Sequence, residues 1–247
     1  GFAQVDKLTG TITNDTTMAR LRLAHFVFGA PNVDWLVNGE AAVNGAQKQV
    51  NIPVGYINGY LYLEPGTYSF TVVPTGKTAA DALLETDVTV TAGHRYTLAV
   101  IGQLEDEKLS SLVIDETAEL QKLGAAKDQQ VYFVVNNIAG AETLDLDEDG
   151  HGPKGVNYGG FGVAPVPAGK YQHAAITANG DPNAVIDSGD YGGYGERPGA
   201  DALMGFFGHF PGTLGEDFDY SNASPNSDLN TLEFLQGFSG VGFEEDY

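Results

Sequence analysis

The fold is decided by GAPNVDWLVNG at Gly29–Gly39, because GAETLDLDEDG at Gly140–Gly150 repeats it. The two stretches have equal length and share Gly, Ala, Asp and Gly at matching positions. Each follows an apolar run and precedes a Pro-x-Gly segment, at Pro53–Gly55 in the first copy and Pro153–Gly155 in the second. Copies that keep the same order of parts indicate a duplicated module. The sequence therefore predicts two domains of similar build.

Alternation of apolar and polar residues predicts that the modules consist of strands. Tyr68, Phe70 and Val72 alternate with polar residues, and the same period of two recurs at Val88–Val90 and Tyr96–Val100. This period places one set of side chains on a core face and the other toward water. Asn-Gly and Pro-Gly pairs, which favour tight turns, separate the runs. Short strands at this spacing predict an all-β sandwich.

The order of these patterns divides the chain into five segments. A short helical stretch is expected at Ala118–Leu123, between the two modules. Several phenylalanines make the C-terminal segment too apolar for a free solvated tail, so we expect it to dock on its own module or on a neighbour. The predicted segments are an extended arm at 1–20, a first module at 21–116, a linker at 117–130, a divergent second module at 131–212 and an acidic tail containing Phe and Gly at 213–247.

Composition excludes several classes of protein. The net charge of −21 repels nucleic acid and anionic membranes, and it favours solubility or divalent-cation binding. No apolar run is long enough for a membrane span. The absence of Cys excludes a disulfide framework and a thiol nucleophile. A start at Gly1 suggests a removed leader or a trimmed chain, and it fits an extracellular or cell-surface location.

Three stretches of the first half resemble the family called domain of unknown function 4397: LRLAHFVFGAPNVDWLVNGE from Leu21, NIPVGYINGYLYLEPGTYSFTVVPTG from Asn51 and DVTVTAGHRYTLAVIG from Asp87. The match is good over 20–116 and partial over the second module, where Asn136 stands in place of His25. The resemblance implies a secreted or surface-attached protein with tandem immunoglobulin-like, antiparallel β-sandwiches and no established catalytic residues. The matching residues are His25, Asp34, Gly39, Gly59, Tyr60, Gly66, Tyr68, Gly93 and Tyr96.

Motifs for catalysis are missing from the sequence. There is no His-Glu-x-x-His metalloprotease helix, no phosphate-binding loop and no complete nucleophile elbow, because Ser239 lacks the second Gly of Gly-x-Ser-x-Gly. His25 lies on a predicted core strand, where a hydrogen-bonded structural role is expected. Its counterpart Asn136 does no acid–base chemistry at neutral pH. The sequence predicts a protein without enzymatic activity and without a required cofactor.

One motif suggests calcium. Asp145, Asp147 and Asp149 precede Gly150 in the pattern Asp-x-Asp-x-Asp-Gly, which opens many calcium loops. The twelfth position, however, is Val156 where such loops carry a bidentate Glu. The repeat offers a second interpretation, in which the segment is a strand entering a hairpin and the alternate acids face solvent. Both interpretations stay open at this point.

The favoured function is structural: a subunit of an extracellular filament or surface layer that self-associates into a homopolymer. An extended arm adds a strand to the open sheet edge of the next subunit, and contacts that do not close produce filaments. Val5, Leu8 and Ile12 are the apolar positions of the arm that would fill such a groove.

The alternative function is a monomeric cell-surface adhesion module that binds glycan or calcium. Aromatic residues among glycines, at Tyr191, Tyr194 and Phe206–Phe207, are candidate stacking surfaces for sugars, although core packing is the simpler interpretation. Asn14 and Asn222 begin the glycosylation patterns Asn-Asp-Thr and Asn-Ala-Ser, and both fall outside the two modules. A hydrolase is the least favoured alternative, because no polar constellation supports it.

Overall fold

The computed structural model describes residues 5–6, 11–12, 17–44, 47–106, 108–124, 129–167, 169–195 and 201–210. These residues form two compact units, of which unit 1 extends to Ala118 and unit 2 begins at Glu119. Strands dominate both units, which confirms the predicted all-β class. Leu8, Asn14 and Asn222, and the tail from residue 213 onward, lie outside the described ranges.

Unit 1 consists of two four-stranded sheets around one core. Trp35 and Phe70 come from one sheet and Leu98 from the other, and all three side chains are fully buried in one cluster. The strands are β1 Val5–Asp6, β2 Thr11–Ile12, β3 Ala19–His25, β4 Val33–Val37, β5 Glu40–Ala41, β6 Val43–Asn44, β7 Gln47–Lys48, β8 Leu61–Leu63, β9 Gly66–Pro74, β10 Leu84–Val90, β11 Arg95–Ile101 and β12 Ser110–Asp115. The sheets have the orders β10-β9-β4-β5 and β12-β11-β3-β8, while β1 pairs with β2 and β6 with β7. A short 3-10 helix occupies Ala79–Asp81.

Helix α1, Glu116–Leu123, begins directly after β12. It starts two residues before the predicted helical stretch because Asp115 caps it: its carboxylate accepts a hydrogen bond from the backbone N–H of Ala118 at 2.9 Å. An aspartate at this position satisfies a helix N–H that lacks an intrahelical partner.

Unit 2 has a three-stranded and a four-stranded sheet around a second core. Tyr132 and Val134 of one sheet and Leu144 of the other are fully buried there. The strands are β13 Gln129–Ala139, β14 Thr143–Glu148, β15 Val156–Asn157, β16 Phe161–Pro167, β17 Lys170–Ala178, β18 Val185–Gly195 and β19 Asp201–His209. The sheets have the orders β16-β13-β19 and β15-β14-β17-β18.

The two units share one strand order. The sheet β8-β3-β11 corresponds to β16-β13-β19, and β4-β9-β10 corresponds to β14-β17-β18. The bridge between Val33 and Ile52 is the counterpart of the β14–β15 pair. The repeat seen in the sequence is therefore a repeat of topology. Strand β12 has no counterpart among the described strands of unit 2. It flanks β11 in unit 1, whereas no described strand flanks β19 on the equivalent side.

Two strand pairs differ from the predicted antiparallel arrangement. β3 pairs with β11 in parallel, and β13 pairs with β19 in parallel, whereas the other pairs of the described sheets are antiparallel. In each unit these are an early strand and a late strand that lie side by side. All seven residues of β3 and of β11 are buried, as expected for parallel strands covered on both faces.

The hydrogen bonds also correct the alignment of the two copies. Asn51 donates its backbone N–H to the carboxylate of Asp34, and Gly155 does the same to Asp145. Asn51 and Gly155 both have positive φ, 58° and 61°. Gly155 therefore corresponds to Asn51, and the Pro-x-Gly segments are not equivalent. Unit 1 carries the additional hairpin β6–β7 before Asn51. Because of this insertion, the alignment made from sequence paired Pro53–Gly55 with the wrong residues of unit 2.

Candidate functional site

The three aspartates of the calcium-like motif lie on β14 and the turn after it, and each has a different partner. Asp145 accepts a hydrogen bond from Gly155 N at 2.6 Å. Asp147 pairs with Lys154 Nζ at 2.7 Å and accepts a bond from Gly150 N. Within the described ranges, no three His, Asp or Glu side chains converge to hold a metal ion. Calcium binding by this motif stays a prediction.

The motif's last aspartate has a structural counterpart in unit 1. Asp149 and Gly150 have φ of 46° and 93°, and Asn38 and Gly39 have φ of 50° and 85°. Two successive positive values are typical of the tight hairpin turn that matches strand twist. Asp149 accepts a hydrogen bond from Gln172 N at 2.6 Å, as Asn38 does from Ser69 N at 3.0 Å. The amide of Asn38 and the carboxylate of Asp149 thus accept equivalent hydrogen bonds from the backbone.

Asp147 is the member of the motif without such a counterpart. Burial alone raises the pKa of its carboxyl, but bonds from Lys154 and Gly150 outweigh burial and hold the pKa below its usual value. Its position in unit 1 is taken by Leu36. The carboxylate of Asp147 ties the hairpin to the segment that follows it.

His25 is a buried structural residue. Its Nε2 lies 3.2 Å from the carbonyl oxygen of Pro31, and Nδ1 has no hydrogen-bond partner among the described residues. Burial lowers the pKa of His25 from 6.5 to about 4, so the ring is neutral at pH 7. In unit 2, Asn136 donates to the carbonyl oxygens of Ala141 and Val156. Both side chains fix the loop that follows their strand.

The most charged buried site was not foreseen from sequence. Glu116, at the start of α1, is 2% exposed and contacts the guanidinium groups of Arg22 at 3.2 Å and Arg95 at 3.1 Å. Tyr60 donates its hydroxyl to the same carboxylate at 2.7 Å, and Thr97 donates to the other oxygen. We call these five residues the Glu116 network. Four of them lie far from Glu116 in sequence, so no local pattern predicts the site.

The chemistry of the Glu116 network is that of a structural ion cluster. Burial alone raises the pKa of Glu116, but Arg22 and Arg95, with the hydrogen bonds from Thr97 and Tyr60, hold it below its usual value. The carboxylate is therefore ionised at neutral pH and its oxygens are occupied. Neither a proton to transfer nor an open coordination position is left at this site.

Aromatic side chains take two different positions. Phe206 and Phe207, predicted as one stacking surface for sugars, are 2% and 3% exposed and lie on opposite faces of β19, both of which are buried here. The side chains of Tyr191 and Tyr194 lie outside the described part. Tyr56 and Tyr158, which the sequence did not single out, are 44% and 42% exposed in corresponding loops of the two units.

The residues predicted to mediate assembly are only partly described. Val5 and Ile12 are backbone partners in the β1–β2 ladder. The first segment thus pairs with itself at these residues, where the sequence predicted an extended arm.

Among the described strands, β19 lies at one edge of its sheet. Residues 201–208 of this strand are all buried, and among the described strands β13 is its neighbour. The backbone N–H of Phe210 donates to Ala139 at 2.6 Å. In a parallel ladder alternate residues face the same neighbour, so the even-numbered residues of β19 face β13. The odd-numbered Leu203, Gly205 and Phe207 direct their backbone groups to the opposite side, where β11 of unit 1 has β12.

Comparison with known proteins gives one informative match and two weak ones. No curated protein matches the chain. The solved structure of the Bacillus anthracis TIE protein is 10% identical, with a TM-score of 0.24, and the match covers 78% of this chain and 33% of that one. The family 26 carbohydrate-binding module of Eubacterium rectale Amy13K, solved with maltoheptaose, is 12% identical, with a TM-score of 0.24 and coverage of 76% and 93%. Likenesses at this TM-score carry no argument.

None of the helices in the described ranges has the length and apolar character that a membrane crossing requires. The model of the family described as domain of unknown function (DUF4397) matches residues 19–147. This match runs through all of the main strands of unit 1 and into β14 of unit 2. It covers more than half of the sequence, and the chain belongs to this family.

Proposed function

We propose that the protein is a non-enzymatic structural protein of the cell exterior whose subunits self-associate into a homopolymer by strand addition. The observation that carries this proposal is the edge of β19. This nine-residue strand is buried at eight of its positions, yet its described neighbour is β13 alone. The corresponding strand of unit 1 has a neighbour on each side.

An apolar edge strand is a template for another strand. A strand supplied by a second subunit pairs with such an edge through main-chain hydrogen bonds, and side chains of that strand add specificity. When the donor and acceptor are different surfaces of one chain, the contact repeats head to tail and grows into a filament.

The polar sites described above support a scaffold function. Asp34, Asp145 and Asp149 hold backbone N–H groups, and the Glu116 network fixes the start of α1. The extracellular location is a proposal that rests on the family resemblance of the sequence.

The test is the oligomeric state of the full chain in solution. Light scattering after size exclusion and negative-stain electron microscopy are carried out over a series of protein and salt concentrations. The charge of −21 opposes association at low ionic strength, and salt screens it. We expect polymers that increase with protein and salt concentration. A monomer throughout the series would refute the proposal.

A second function, glycan binding by the monomer, is favoured by Tyr56 and Tyr158. Exposed rings in corresponding loops would give each unit one stacking surface. A glycan array measured with the full chain and with Tyr56→Ala and Tyr158→Ala tests it. Binding that falls in either variant supports the function, and the absence of binding by the parent chain excludes it under these conditions.

A further inference from the structure

We propose that Asn38-Gly39 is a site of spontaneous modification, at which the side-chain amide of Asn38 becomes a carboxylate without an enzyme. Asparagine is a chemically labile residue, and when glycine follows it the side chain can close on the backbone to a cyclic imide. The modification needs no second subunit, so it is independent of the proposed self-association. What singles out Asn38 is the way in which the structure holds its side chain.

The chain contains four Asn-Gly pairs, and three of them lie wholly within the described ranges: Asn38-Gly39, Asn58-Gly59 and Asn179-Gly180. The fourth pair, Asn44-Gly45, extends beyond those ranges. Glycine favours the reaction because no side chain hinders the approach of its nitrogen to the preceding residue. The three pairs therefore share the same local chemistry, and their surroundings distinguish them.

The pairs Asn38-Gly39 and Asn179-Gly180 form the same kind of exposed turn. Their φ values are 50° and 85° in the first and 59° and 67° in the second, which is typical of tight hairpin turns. In both turns the Asn side-chain oxygen accepts a backbone hydrogen bond, from Ser69 N at 3.0 Å and from Glu142 N at 2.8 Å. The second turn is thus a natural control for the first.

The two side chains differ at the amide nitrogen, which is the leaving group of the reaction. Nδ2 of Asn179 donates to the carbonyl oxygen of Gly140 at 3.1 Å, so this side chain is held at both ends. Nδ2 of Asn38 has no hydrogen-bond partner among the described residues, so this side chain is held at its oxygen alone. Ring closure turns the amide carbon toward the glycine nitrogen, and Asn179 has to break an additional hydrogen bond to do so.

Asn58-Gly59 is a second case in which the leaving nitrogen is held. Nδ2 of Asn58 donates to Oε1 of Gln49 at 2.5 Å, and the side chain is half-buried. Of the three described pairs, Asn38-Gly39 therefore combines full exposure with an amide nitrogen that has no partner in the described part of the chain.

The nucleophile of the reaction is the backbone nitrogen of Gly39. Its N–H donates no hydrogen bond among the described residues, and nothing lies within 4 Å of the position of a Cβ on this glycine. After losing its proton to hydroxide, the nitrogen forms a bond to Cγ of Asn38, and negative charge develops on Oδ1. The N–H of Ser69 already donates to Oδ1 and stabilises this charge.

The bond from Cγ to Nδ2 then breaks, and the nitrogen leaves as ammonia after taking a proton from water. Water opens the remaining cyclic imide at one of its two carbonyl groups. Opening at Cγ gives an aspartate at position 38, and opening at the backbone carbonyl gives an isoaspartate, in which the chain runs through the side chain. One water is consumed and one ammonia is released, so no oxidant or reductant takes part.

Unit 2 shows that the fold accepts the aspartate product. Asp149-Gly150 occupies the equivalent turn, and the carboxylate of Asp149 accepts a hydrogen bond from Gln172 N at 2.6 Å. A carboxylate at position 38 can accept the bond from Ser69 N in the same way. The isoaspartate product instead adds a methylene to the backbone of a two-residue turn, which disturbs the pairing of Val37 with Glu40.

The test incubates the full chain in heavy-oxygen water at neutral and at mildly alkaline pH. Digestion at acidic pH in ordinary water follows, so heavy oxygen in a peptide marks an imide that opened during the incubation. We expect Asn38 to be converted at least about fivefold faster than Asn179 and Asn58, the factor that corresponds to one hydrogen bond of about 1 kcal/mol. The rate should rise with pH, and Asn38→Gln should abolish the label at this position.

The same incubation in urea separates the effect of structure from that of sequence. The local sequences Val-Asn-Gly-Glu and Ala-Asn-Gly-Asp are closely similar, so in the unfolded chain Asn38 and Asn179 should be converted at nearly equal rates. A preference for Asn38 that is present in the folded chain and disappears in urea supports the proposal. Equal rates in the folded chain, faster conversion of Asn179, or the same preference in urea would overturn it.

Two variants test whether the aspartate product keeps the turn. Asn38→Asp mimics the product, and Asn38→Ala removes the acceptor of the Ser69 N–H. Urea unfolding is followed by the fluorescence of Trp35, which is buried in unit 1. We expect the midpoint of Asn38→Asp to equal that of the parent and the midpoint of Asn38→Ala to be lower. An equal loss in both variants contradicts an aspartate product that retains this bond.

Discussion

The substitution Glu116→Gln is the sharpest test of how unit 1 is held together. It keeps the size of the side chain but removes the charge that faces Arg22 and Arg95. Both guanidinium groups are buried, at 3% and 0% exposure. After the substitution they remain in the protein interior without a counter-ion, which is far more costly than the loss of the ion pair itself.

The size of the effect follows from burial. Removing one partner of a buried ion pair costs about 3–5 kcal/mol in the free energy of unfolding. For a domain of roughly 100 residues each kcal/mol lowers Tm by about 4–8 °C. We therefore expect unit 1 of the variant to unfold at least about 10 °C below the parent, by the same relation.

The assay uses the one tryptophan of the chain. Trp35 is fully buried in the core of unit 1, so its fluorescence reports the unfolding of that unit. Urea and thermal unfolding of Glu116→Gln are compared with Glu119→Gln, the same change on the same helix. Glu119 pairs with Lys122, which is 76% exposed, so its loss is expected to cost less than about 1 kcal/mol.

Two results would refute this reasoning. One is a stability of Glu116→Gln equal to that of the Glu119→Gln control. The other is a combined variant, Arg22→Met with Arg95→Met and Glu116→Leu, that is no more stable than Glu116→Gln. When a buried ion cluster is replaced as a whole by apolar residues, the cost of unpaired charge disappears and stability should return.

Acid should weaken the same network. Burial raises the pKa of Glu116, but the two arginines and the two hydroxyl donors hold it below the ordinary 4.5. The unfolded carboxyl therefore binds its proton at a higher pH than the folded one. The stabilisation is complete above pH 4.5 and is lost as the pH falls through the lowered pKa.

Substitutions at three further residues test other parts of the structure. Unfolded His25 protonates near pH 6.5 and folded His25 near 4, so the free energy of unfolding of unit 1 should fall by about 2 kcal/mol from pH 7 to 5. His25→Asn should abolish this dependence, which urea unfolding followed by Trp35 fluorescence measures at both pH values. Tyr171→Phe removes the 2.6 Å hydrogen bond from its hydroxyl to the carbonyl oxygen of Pro167. It should lower the free energy of unfolding of unit 2 by about 1 kcal/mol, which hydrogen exchange measures. Asp149→Asn should leave hydrogen exchange in unit 2 unchanged within about 0.5 kcal/mol, whereas Asp149→Ala should cost about 1 kcal/mol.

The repeat allowed much of the fold to be predicted from sequence. Alternation of apolar and polar residues located strands such as β9 and β11, and Asn38-Gly39 marked a hairpin turn that the structure contains. These features are local, since a period of two and a positive φ are properties of a few adjacent residues. Local features are also where the two copies agree.

Pairings between distant residues could not be predicted. The sequence does not state that β3 and β11 run in parallel, because their contact joins residues on opposite sides of the module. Arg22 alternates with leucines and thus resembles a solvent-facing residue of a half-buried strand. Its actual partner, Glu116, is 94 residues away and can be found only from the fold.

The duplication also separates fold from function at the calcium-like motif. Asp145 repeats the role of Asp34, and Asp149 repeats the role of Asn38, so fold requirements explain two of the three acids. Asp147 alone is specific to the second copy, and Lys154 neutralises it there. Unit 1 has Leu36 and Asn38 where unit 2 has Asp147 and Asp149. Since both units form the same hairpin, hairpin geometry accounts for the motif without requiring a metal.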